Sequence, residues 1–336
     1  MIEHNISLKP YNTFGIDVKA LAFGRFGSLE ELKVLLNERN REIPLLILGG
    51  GSNILLTKDL PFFVLRNEIL GIETIHETDE EVIMKVGSGV EWHAFVRHTV
   101  EQGLGGIENM SLIPGSVGAS PMQNIGAYGA EIKDTFVSLE ALHIDSLELH
   151  TFNKEQCAFG YRESVFKRAL KDQYVIVSVS YRLTKHPKIN TSYGAIQSEM
   201  EAMGVQEATV DTVSQAVMNI RRSKLPDPKV LGNAGSFFKN PVVSKAVFEP
   251  LQQQYPDAPH YPQESGDEKL AAGWLIEKAG WKGKRVGDCG VHEKQALVLV
   301  NYGGATGSEI YDLSTAIIED IQTKFGVTLE REVNIL

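Results

Sequence analysis

Residues 103–129 read GLGGIENMSLIPGSVGASPMQNIGAYG, and no other stretch says as much about the fold. The stretch holds seven glycines in 27 residues, together with serine and amide side chains, and its one charged side chain is Glu108. A flexible surface linker would be more polar and less aliphatic. Small residues with scattered amides let the main chain lie against a large flat ligand and hydrogen-bond its edges. A flavin is such a ligand, so the stretch predicts a flavin-binding segment.

The sequence on both sides of this segment has the pattern of a mixed α/β fold. Short apolar runs bounded by turn residues predict buried strands. A helix that a glycine ends is predicted immediately upstream, over 91–103. The predicted strands cover 44–48, 62–66, 81–86, 136–144 and 174–183.

A helical period replaces the strand pattern near residue 210. Apolar residues fall on one face of the predicted helix: Val210, Val213, Val217 and Ile220. Pro226 and Pro228 cannot continue it, and we place a domain boundary close to 224–228. The remaining predicted elements are helices near 268–279 and over 307–325, the second with a Thr306–Glu309 capping box, and strands over 296–301 and 327–336.

Composition and charge exclude several classes of protein. A chain of 336 residues with 43% hydrophobic and 23% charged residues is typical of a soluble protein of about two domains. The net charge of −10 argues against nucleic acid or an anionic membrane as the main partner. Cys157 and Cys289 form no C-x-x-C motif, and the first residues have no signal-peptide pattern. We therefore expect a cytoplasmic protein with neither a nucleic-acid nor a membrane partner.

Two glycine-containing motifs, at 49–53 and 232–241, are similar to known binding or catalytic motifs but lack a residue that each requires. Gly49–Asn53 follows a strand, but Ile54 stands where a dinucleotide fingerprint needs its third glycine. The turn can still present N–H groups to an anion, and a plain tight turn is the alternative. Ser236 lies in GNAGSFFKNP, where Phe238 replaces the glycine that a nucleophile elbow needs. Ser236 is therefore either a proton donor, with the rings beside it excluding water, or a turn hydroxyl. No histidine spacing indicates a metal site, so none is predicted.

Motifs along nearly the whole chain resemble, in their order, those of the bacterial UDP-N-acetylenolpyruvoylglucosamine reductases, the MurB family. They are Asn12–Gly15, Leu48–Asn53, 105–129, Tyr161–Ser164, Thr191–Gly194, Lys224–Lys229, 232–241, His292–Ala296 and the closing Glu-Val. The Thr191–Gly194 segment is similar to the tyrosine loop of the longer subtype. The resemblance implies an α/β (α+β) chain with an FAD-binding fold of the vanillyl-alcohol-oxidase/PCMH type in two subdomains, plus a smaller α/β substrate-binding domain. The implied division is 1–215 for FAD (about 1–68 and 69–215), 216–326 for substrate, and a closing strand over 327–336.

The resemblance also implies a reaction. NADPH reduces non-covalently bound FAD, which then reduces UDP-N-acetyl-3-O-(1-carboxyvinyl)glucosamine to UDP-N-acetylmuramate for peptidoglycan synthesis. The implied catalytic residues are Ser236 as proton donor to C2, Arg162 as carboxylate ligand, and Glu332 near the developing charge. We expect burial to raise the pKa of Glu332. On the residues alone, Arg162 can equally be a surface ion pair, Glu332 a solvated edge charge and Ser236 a turn hydroxyl.

The ligand-binding residues follow from the same resemblance. The implied FAD ligands are Gly49, Gly50, Gly51, Ser52, Asn53, Ser111, Ile113, Pro114, Gly115, Ser116, Gly118, Ala119, Gln123, Asn124 and Gly126. The implied substrate ligands are Tyr193, Lys224, Asn240 and Gln295. We expect a monomer. The closing motif departs from the family pattern, because Arg-Glu-Val-Asn replaces the commoner Pro-Glu-Val, and the sequence ends at Leu336 where many relatives run on.

Two other functions remain open. One is a flavin-dependent alcohol or hydroxy-acid oxidase of the same fold, which would have no use for the substrate ligands Lys224, Asn240 and Gln295. The other is a non-catalytic nucleotide-sugar binding protein that keeps the pocket without the flavin.

Overall fold

The computed structural model describes residues 2–336 and divides them into two compact units, each built from separate stretches of chain. Unit 1 comprises the residues up to Ile6, Ala20–Gly50 and Pro61–Ser223. Unit 2 comprises Ser7–Lys19, Gly51–Leu60 and Lys224–Leu336. The functional domains 1–215, 216–326 and 327–336 stay predictions.

The secondary structure alternates short strands with eight helices among these residues. The strands are β1 (Glu3–Ser7), β2 (Lys19–Phe26), β3 (Leu45–Leu48), β4 (Ile54–Leu55), β5 (Leu60–Asn67), β6 (Ile72–Glu77), β7 (Glu81–Gly87), β8 (Gly126–Ala127), β9 (Ala130–Glu131), β10 (Phe136–His143), β11 (Leu149–Asn153), β12 (Tyr174–Thr184), β13 (Gly232–Ser236), β14 (Val242–Val243), β15 (His260–Pro262), β16 (Glu268–Leu270), β17 (Arg285–Val286), β18 (Cys289–Val291), β19 (Val298–Asn301) and β20 (Asn334–Ile335). The helices are α1 (Leu29–Glu38), α2 (Trp92–Glu101), α3 (Lys154–Cys157), α4 (Gly194–Ala202), α5 (Val210–Lys224), α6 (Lys245–Gln254), α7 (Ala272–Lys278) and α8 (Gly307–Phe325).

Unit 1 contains a four-stranded sheet in the order β1-β2-β5-β3. Strands β3 and β5 are parallel, with Leu45 opposite Phe63. Helix α1 begins at Ser28, whose hydroxyl accepts the Glu31 N–H, and its buried leucines join the core of this sheet. Gly49 directly follows the last residue of β3, so it lies at the end of this parallel pair.

The second sheet of unit 1 has five antiparallel strands in the order β11-β10-β12-β7-β6. Helix α2 packs against it through Trp92 and Phe95, whose rings contact the buried Tyr181 of β12. The glycine-rich segment joins the same core through Ile107, Met110 and Val117, each fully buried. The segment is therefore built into unit 1, as its low charge indicated.

Unit 2 contains an antiparallel sheet in the order β13-β19-β18-β17 and a smaller sheet in the order β14-β16-β15. Helix α8 has the predicted bounds and the predicted capping box: the Thr306 hydroxyl accepts the Glu309 N–H, and the Glu309 carboxylate accepts the Thr306 N–H. Its apolar face is buried along its length. This helix is the rigid support of the segment that carries Glu332.

Most of the predicted elements are confirmed within a few residues, and two are wrong in part. Residues 268–279 begin as strand β16, where Glu268 and Leu270 pair with β14 and β15, and only then form α7. Residues 327–336 contain a two-residue strand, β20, rather than one continuous strand. In both places the partner strand, not the apolar pattern, determines where pairing begins.

No helix formed by residues 2–336 combines the length and the apolar character that a membrane span requires. Over the same residues, no three or more His, Cys, Asp or Glu side chains gather as metal ligands would. The absence of a metal requirement stays a prediction.

Candidate active site

Two of the predicted flavin segments meet in unit 1, main chain against main chain. A Cβ atom built on Gly50 would lie 2.8 Å from the Cα of Gly115, and one built on Gly49 would lie 2.6 Å from the Ser116 Oγ. A side chain at position 50 would have to displace the facing main chain, and one at position 49 would have to displace the Ser116 hydroxyl. The structure thus brings together segments that are 66 residues apart in the sequence, and no side chain at 49 or 50 stands between them and a ligand.

The main-chain donors of these segments differ in availability. Within residues 2–336, the N–H groups of Gly49 and Gly50 donate to no protein acceptor, so they remain open to an anion. The N–H groups of Val117, Gly118 and Ala119 instead donate to Val90, Ser88 and Ser116. Predicted contacts at Gly118 and Ala119 therefore cannot use their N–H groups.

Ser111 is fully buried, and its hydroxyl is engaged within the protein. Its Oγ donates to the Glu108 carbonyl at 2.7 Å and lies 2.9 Å from the Ser214 Oγ. Its N–H also bonds to the Glu108 carbonyl. Neither the N–H nor the hydroxyl hydrogen of Ser111 is therefore available to donate to a flavin.

Asn124 stabilises the segment whose Gly126 carbonyl binds the Arg162 side chain. Asn124 is fully buried; its Nδ2 donates to the Gly160 carbonyl at 3.0 Å, and its Oδ1 accepts the Lys133 N–H at 3.2 Å. The Arg162 Nη2 donates to the Gly126 carbonyl at 2.8 Å. The guanidinium carbon lies 5.4 Å from the centre of the Tyr161 ring. The Gly126 carbonyl and the Tyr161 ring thus orient the guanidinium.

Four residues other than glycine adopt left-handed backbone in and beside these segments. They are Leu112 (φ 58°), Asn124 (φ 43°), Tyr128 (φ 49°) and Arg162 (φ 55°). Such conformations cost roughly 1–3 kcal/mol each and persist only where the surroundings enforce them. Their concentration around the predicted flavin segments is typical of a functional site.

His93 of α2 supports the left-handed turn at Leu112. Its Nδ1 accepts the Leu112 N–H at 3.0 Å, which requires that nitrogen to be unprotonated. Burial lowers the pKa of His93, and the nearby Arg97, Arg221 and Arg222 lower it further, while Glu91 opposes them. The imidazole therefore stays neutral at pH 7 and keeps the bond to the segment between Ser111 and Ile113.

We expect FAD retention to weaken as the pH falls below the usual histidine value of about 6.5. In the folded protein the pKa of His93 lies below that value, so a state in which the turn has opened binds the proton at a higher pH. The stability that the neutral imidazole provides is therefore fully present above about pH 6.5 and is lost as the pH falls toward the pKa of the folded state. Replacing His93 with Phe removes the acceptor and should weaken FAD about 2- to 10-fold at pH 7.5, as one hydrogen bond would. Equilibrium dialysis of FAD from pH 5 to 8 measures both effects.

The matched control is His98→Phe, on the exposed side of the same helix. It should leave FAD retention and its pH dependence as in the wild type. Equal pH dependence in wild type and His93→Phe would exclude His93 as the responsible group.

In unit 2 the structure brings the segment that carries Glu332 alongside the chain that follows Ser236. The Glu332 N–H donates to the Phe237 carbonyl at 2.8 Å, and Arg331 forms a β-bridge with Phe238. Ser236 is exposed, whereas Glu332 is half-buried. The hydroxyl and the carboxylate that were predicted to act together therefore belong to adjacent backbone positions. Arg162, the third of the set, is in unit 1.

The interpretation of the two phenylalanine rings as a wall around the site is wrong. Phe237 and Phe238 are 0% and 1% exposed, and Phe237 packs edge-on against Phe14 at 6.2 Å. Rings buried this deeply belong to the hydrophobic core and fix the position of the strand. They position Ser236 instead of shielding it.

The predicted substrate ligands divide between the units. In unit 2 the Asn240 Oδ1 accepts the Ala272 N–H at 3.0 Å, Gln295 is half-buried, and Lys224 is exposed. In unit 1 Tyr193 is 50% exposed and meets the Tyr128 ring edge-on at 5.2 Å. Asn240 and Gln295 are thus held in place, while Lys224 and Tyr193 present accessible groups.

Sequence reasoning missed Arg221 and Tyr128, whose side chains lie close enough in unit 1 to interact electrostatically. Burial lowers the pKa of Arg221 and raises the pKa of Tyr128. The Arg221 Nε is buried without a partner among the described residues. A signal was present: Arg221 is four residues after Val217, on the apolar face of α5, where a charged residue is unexpected.

Comparisons with known families agree with this geometry. Residues 227–336 match the family described as UDP-N-acetylenolpyruvoylglucosamine reductase, C-terminal domain. Residues 20–151, which include Gly49, Gly50, Gly115 and Ser116, match the family described as FAD binding domain. The predicted FAD-binding fold is thereby confirmed. The close approach of Gly50 to Gly115 and the open N–H groups of Gly49 and Gly50 fit an FAD ligand.

Curated relatives and solved structures extend the match to the full chain. The UDP-N-acetylenolpyruvoylglucosamine reductase of Flavobacterium johnsoniae is 53% identical over 100% of this chain and 99% of its own. That of Pseudomonas aeruginosa is 49% identical, over 99% and 98%. The crystal structure of the Thermus caldophilus enzyme superposes with a TM-score of 0.68 at 25% identity, covering 100% and 98%. In fold alone, 6-hydroxy-D-nicotine oxidase of Arthrobacter nicotinovorans is also similar (TM-score 0.53, 11% identity, 98% and 86%). The resemblance drawn from the sequence is confirmed, and the chain belongs to the UDP-N-acetylenolpyruvoylglucosamine reductase family.

Proposed function

We propose that this chain catalyses the NADPH-dependent, FAD-mediated reduction of UDP-N-acetyl-3-O-(1-carboxyvinyl)glucosamine to UDP-N-acetylmuramate, a step in peptidoglycan precursor synthesis. The observation that carries the proposal is the 53% identity to a UDP-N-acetylenolpyruvoylglucosamine reductase over 100% of the chain. The chain is an oxidoreductase and a flavoprotein with a UDP-N-acetylmuramate dehydrogenase activity.

The proposed chemistry assigns a separate task to each catalytic residue. When bound, FAD supplies a hydride that it has taken from NADPH. Addition of that hydride to the enolpyruvyl group drives negative charge onto C2 and its carboxylate, where fixed donors are needed. Arg162, oriented by the Gly126 carbonyl and the Tyr161 ring, binds the carboxylate. Ser236 gives its proton to C2. Glu332, whose N–H donates to Phe237 beside Ser236, stabilises the developing negative charge as the neutral acid.

Ligand binding is assigned in the same way. For FAD, the free N–H groups of Gly49 and Gly50 support a contact with the pyrophosphate, and the Ser111–Gly118 segment with Gln123 and Asn124 lines the isoalloxazine and ribityl. For the sugar nucleotide, the exposed Lys224 offsets the net charge of −10 locally beside the diphosphate. Residues 1–215 serve the cofactor, 216–326 the substrate, and 327–336 return Glu332 to the site.

The proposal extends to partners and location. The substrates are small molecules, as the names of the relatives indicate. We propose a cytoplasmic monomer. Gel filtration of the purified protein tests its oligomeric state.

One spectroscopic titration tests the function. The protein is purified without added cofactor, its visible spectrum is recorded, and NADPH and then the enolpyruvyl sugar nucleotide are added without oxygen. A flavin spectrum that bleaches with NADPH and returns with the sugar nucleotide supports the reductase. Recovery only on admission of air favours an oxidase of the same fold, and a protein unable to take up FAD favours a binding protein.

A further inference from the structure

The segment that carries Glu332 is attached to the rest of unit 2 by backbone hydrogen bonds on two sides. The Lys239 N–H donates to the Glu330 carbonyl at 2.9 Å, and the Glu332 N–H donates to the Phe237 carbonyl at 2.8 Å. Between them Arg331 forms an isolated bridge, and β20 pairs with β4 over two residues only. On that side the Asn334 and Leu336 N–H groups donate to the Asn53 and Leu55 carbonyls. Glu332 lies between the two sets of bonds, and its carbonyl accepts from the Asn53 Nδ2 at 3.3 Å.

The side chain of Arg331 supplies a further attachment, to α8. Its Nε donates to the Ser314 Oγ at 2.7 Å, and its Nη2 donates to the Thr315 Oγ1 at 2.6 Å. Its guanidinium carbon lies 4.4 Å from the centre of the Tyr311 ring. Hydrogen bonds from an ionised donor are about twice as strong as neutral ones, and the aromatic face adds to them.

The two hydroxyls are already oriented to accept from Arg331. The Ser314 Oγ donates to the Tyr311 carbonyl at 2.6 Å, and the Thr315 Oγ1 donates to the same oxygen at 3.1 Å. A hydroxyl has one hydrogen, so once that hydrogen is engaged only its lone pairs remain for the guanidinium. The acceptors sit on a capped helix whose apolar face is buried, and they form a rigid receptor for the arginine fork.

We propose that Arg331 is a positioning residue for the reduction, whose fork to α8 holds Glu332 beside the strand that carries Ser236. In bridged, extended backbone successive side chains leave on opposite faces, so Arg331 binds α8 while the Glu332 carboxylate leaves on the other side. The proposal rests on the proposed function only in taking Glu332 as the catalytic carboxylate. A displacement of about 1 Å in such a group can cost roughly 100-fold in rate.

Two sets of substitutions, one on each side of the contact, test it. Arg331→Ala, and separately Ser314→Ala with Thr315→Val, should leave flavin reduction by NADPH unchanged. Both should slow reoxidation by the sugar nucleotide about 10- to 100-fold with little change in its KM. The triple variant should be no slower than Arg331→Ala, because all three remove one contact. Arg331→Lys should be faster than Arg331→Ala because it keeps the positive charge. It should stay slower than the wild type because an ammonium cannot form the two-point fork.

A second measurement does not depend on FAD or on turnover. Amide hydrogen exchange at Glu332, whose N–H donates to Phe237, should be faster in Arg331→Ala and in the Ser314/Thr315 variant than in the wild type. The matched control is Arg285→Ala. That guanidinium also lies over a tyrosine ring in unit 2, at 4.3 Å from Tyr302, and pairs with Asp288. Its loss should change neither exchange at Glu332 nor reoxidation.

The possible outcomes separate the two proposals. Unchanged reoxidation in both Arg331→Ala and the Ser314/Thr315 variant overturns the positioning role, even if exchange becomes faster. Should Arg331→Ala not fold, the hydroxyl variant and Arg331→Lys decide the same question. A wild-type protein that never responds to the sugar nucleotide overturns the proposed function instead, and the exchange result still shows whether Arg331 holds the segment.

Discussion

Replacing Ser236 with alanine is expected to leave flavin reduction by NADPH intact and to slow reoxidation by the sugar nucleotide about 10²- to 10⁴-fold, the usual contribution of a positioned proton donor. The hydroxyl is exposed on its strand, and its neighbours Phe237 and Phe238 carry the packing, so the fold should not change. Stopped-flow spectroscopy without oxygen measures the two half-reactions separately.

Ser244→Ala is a suitable control for this variant. Ser244 is at the N-cap of α6 in the same unit, and its side chain makes no capping hydrogen bond. It should reoxidise at the wild-type rate. Normal turnover of Ser236→Ala would remove Ser236 from the mechanism, and equal slowing of both half-reactions would indicate damage to the flavin site instead.

Gly50→Ala should yield a protein that is purified largely without its yellow cofactor. The added Cβ would lie 2.8 Å from the Cα of Gly115, a main-chain atom that can yield only if its whole segment shifts. Forcing such a contact costs typically about 1–3 kcal/mol. We expect FAD affinity to fall about 10- to 100-fold, measured as absorbance at the flavin maximum relative to protein and by titration with added FAD.

Gly194→Ala is the matched control for this prediction. It is also in unit 1, and a Cβ there would meet no atom within 4 Å. Its flavin content should equal that of the wild type. If Gly50→Ala retained full FAD occupancy, the meeting of the two glycine segments would have no part in cofactor binding.

Long helices with a regular apolar period were predictable from the sequence alone. The apolar face of α5 and the capping residues of α8 are encoded within a few neighbouring residues, so both helices could be placed. The two residues of β20 carry no such signal, because their pairing with β4 depends on a strand about 280 residues away. Residues 268–270 were assigned to a helix because their own apolar pattern does not reveal the pairing with β14 and β15.

Site residues were predictable as motifs but not in their contacts. The glycines at 49, 50 and 115 indicated close approach, yet only the fold shows that they approach each other. An apolar ring at a site and one in the core look alike in a sequence, which explains the misreading of Phe237 and Phe238. Arg221 was missed because Tyr128, with which its side chain interacts, comes from a distant loop.

The pairing of β4 with β20 has a consequence for biosynthesis. The Thr57 Oγ1 binds the Leu336 carbonyl across 279 positions of the chain. At about 5–20 residues per second, a ribosome needs roughly 14–56 s to cover that distance. During this interval Leu55 and Leu56, which are 0% and 1% exposed in the finished structure, lack their final neighbours. Unit 2 therefore cannot pair β4 with β20 until residues 334–336 have been synthesised, and until then the nascent chain carries an apolar, unpaired strand edge of the kind that chaperones recognise.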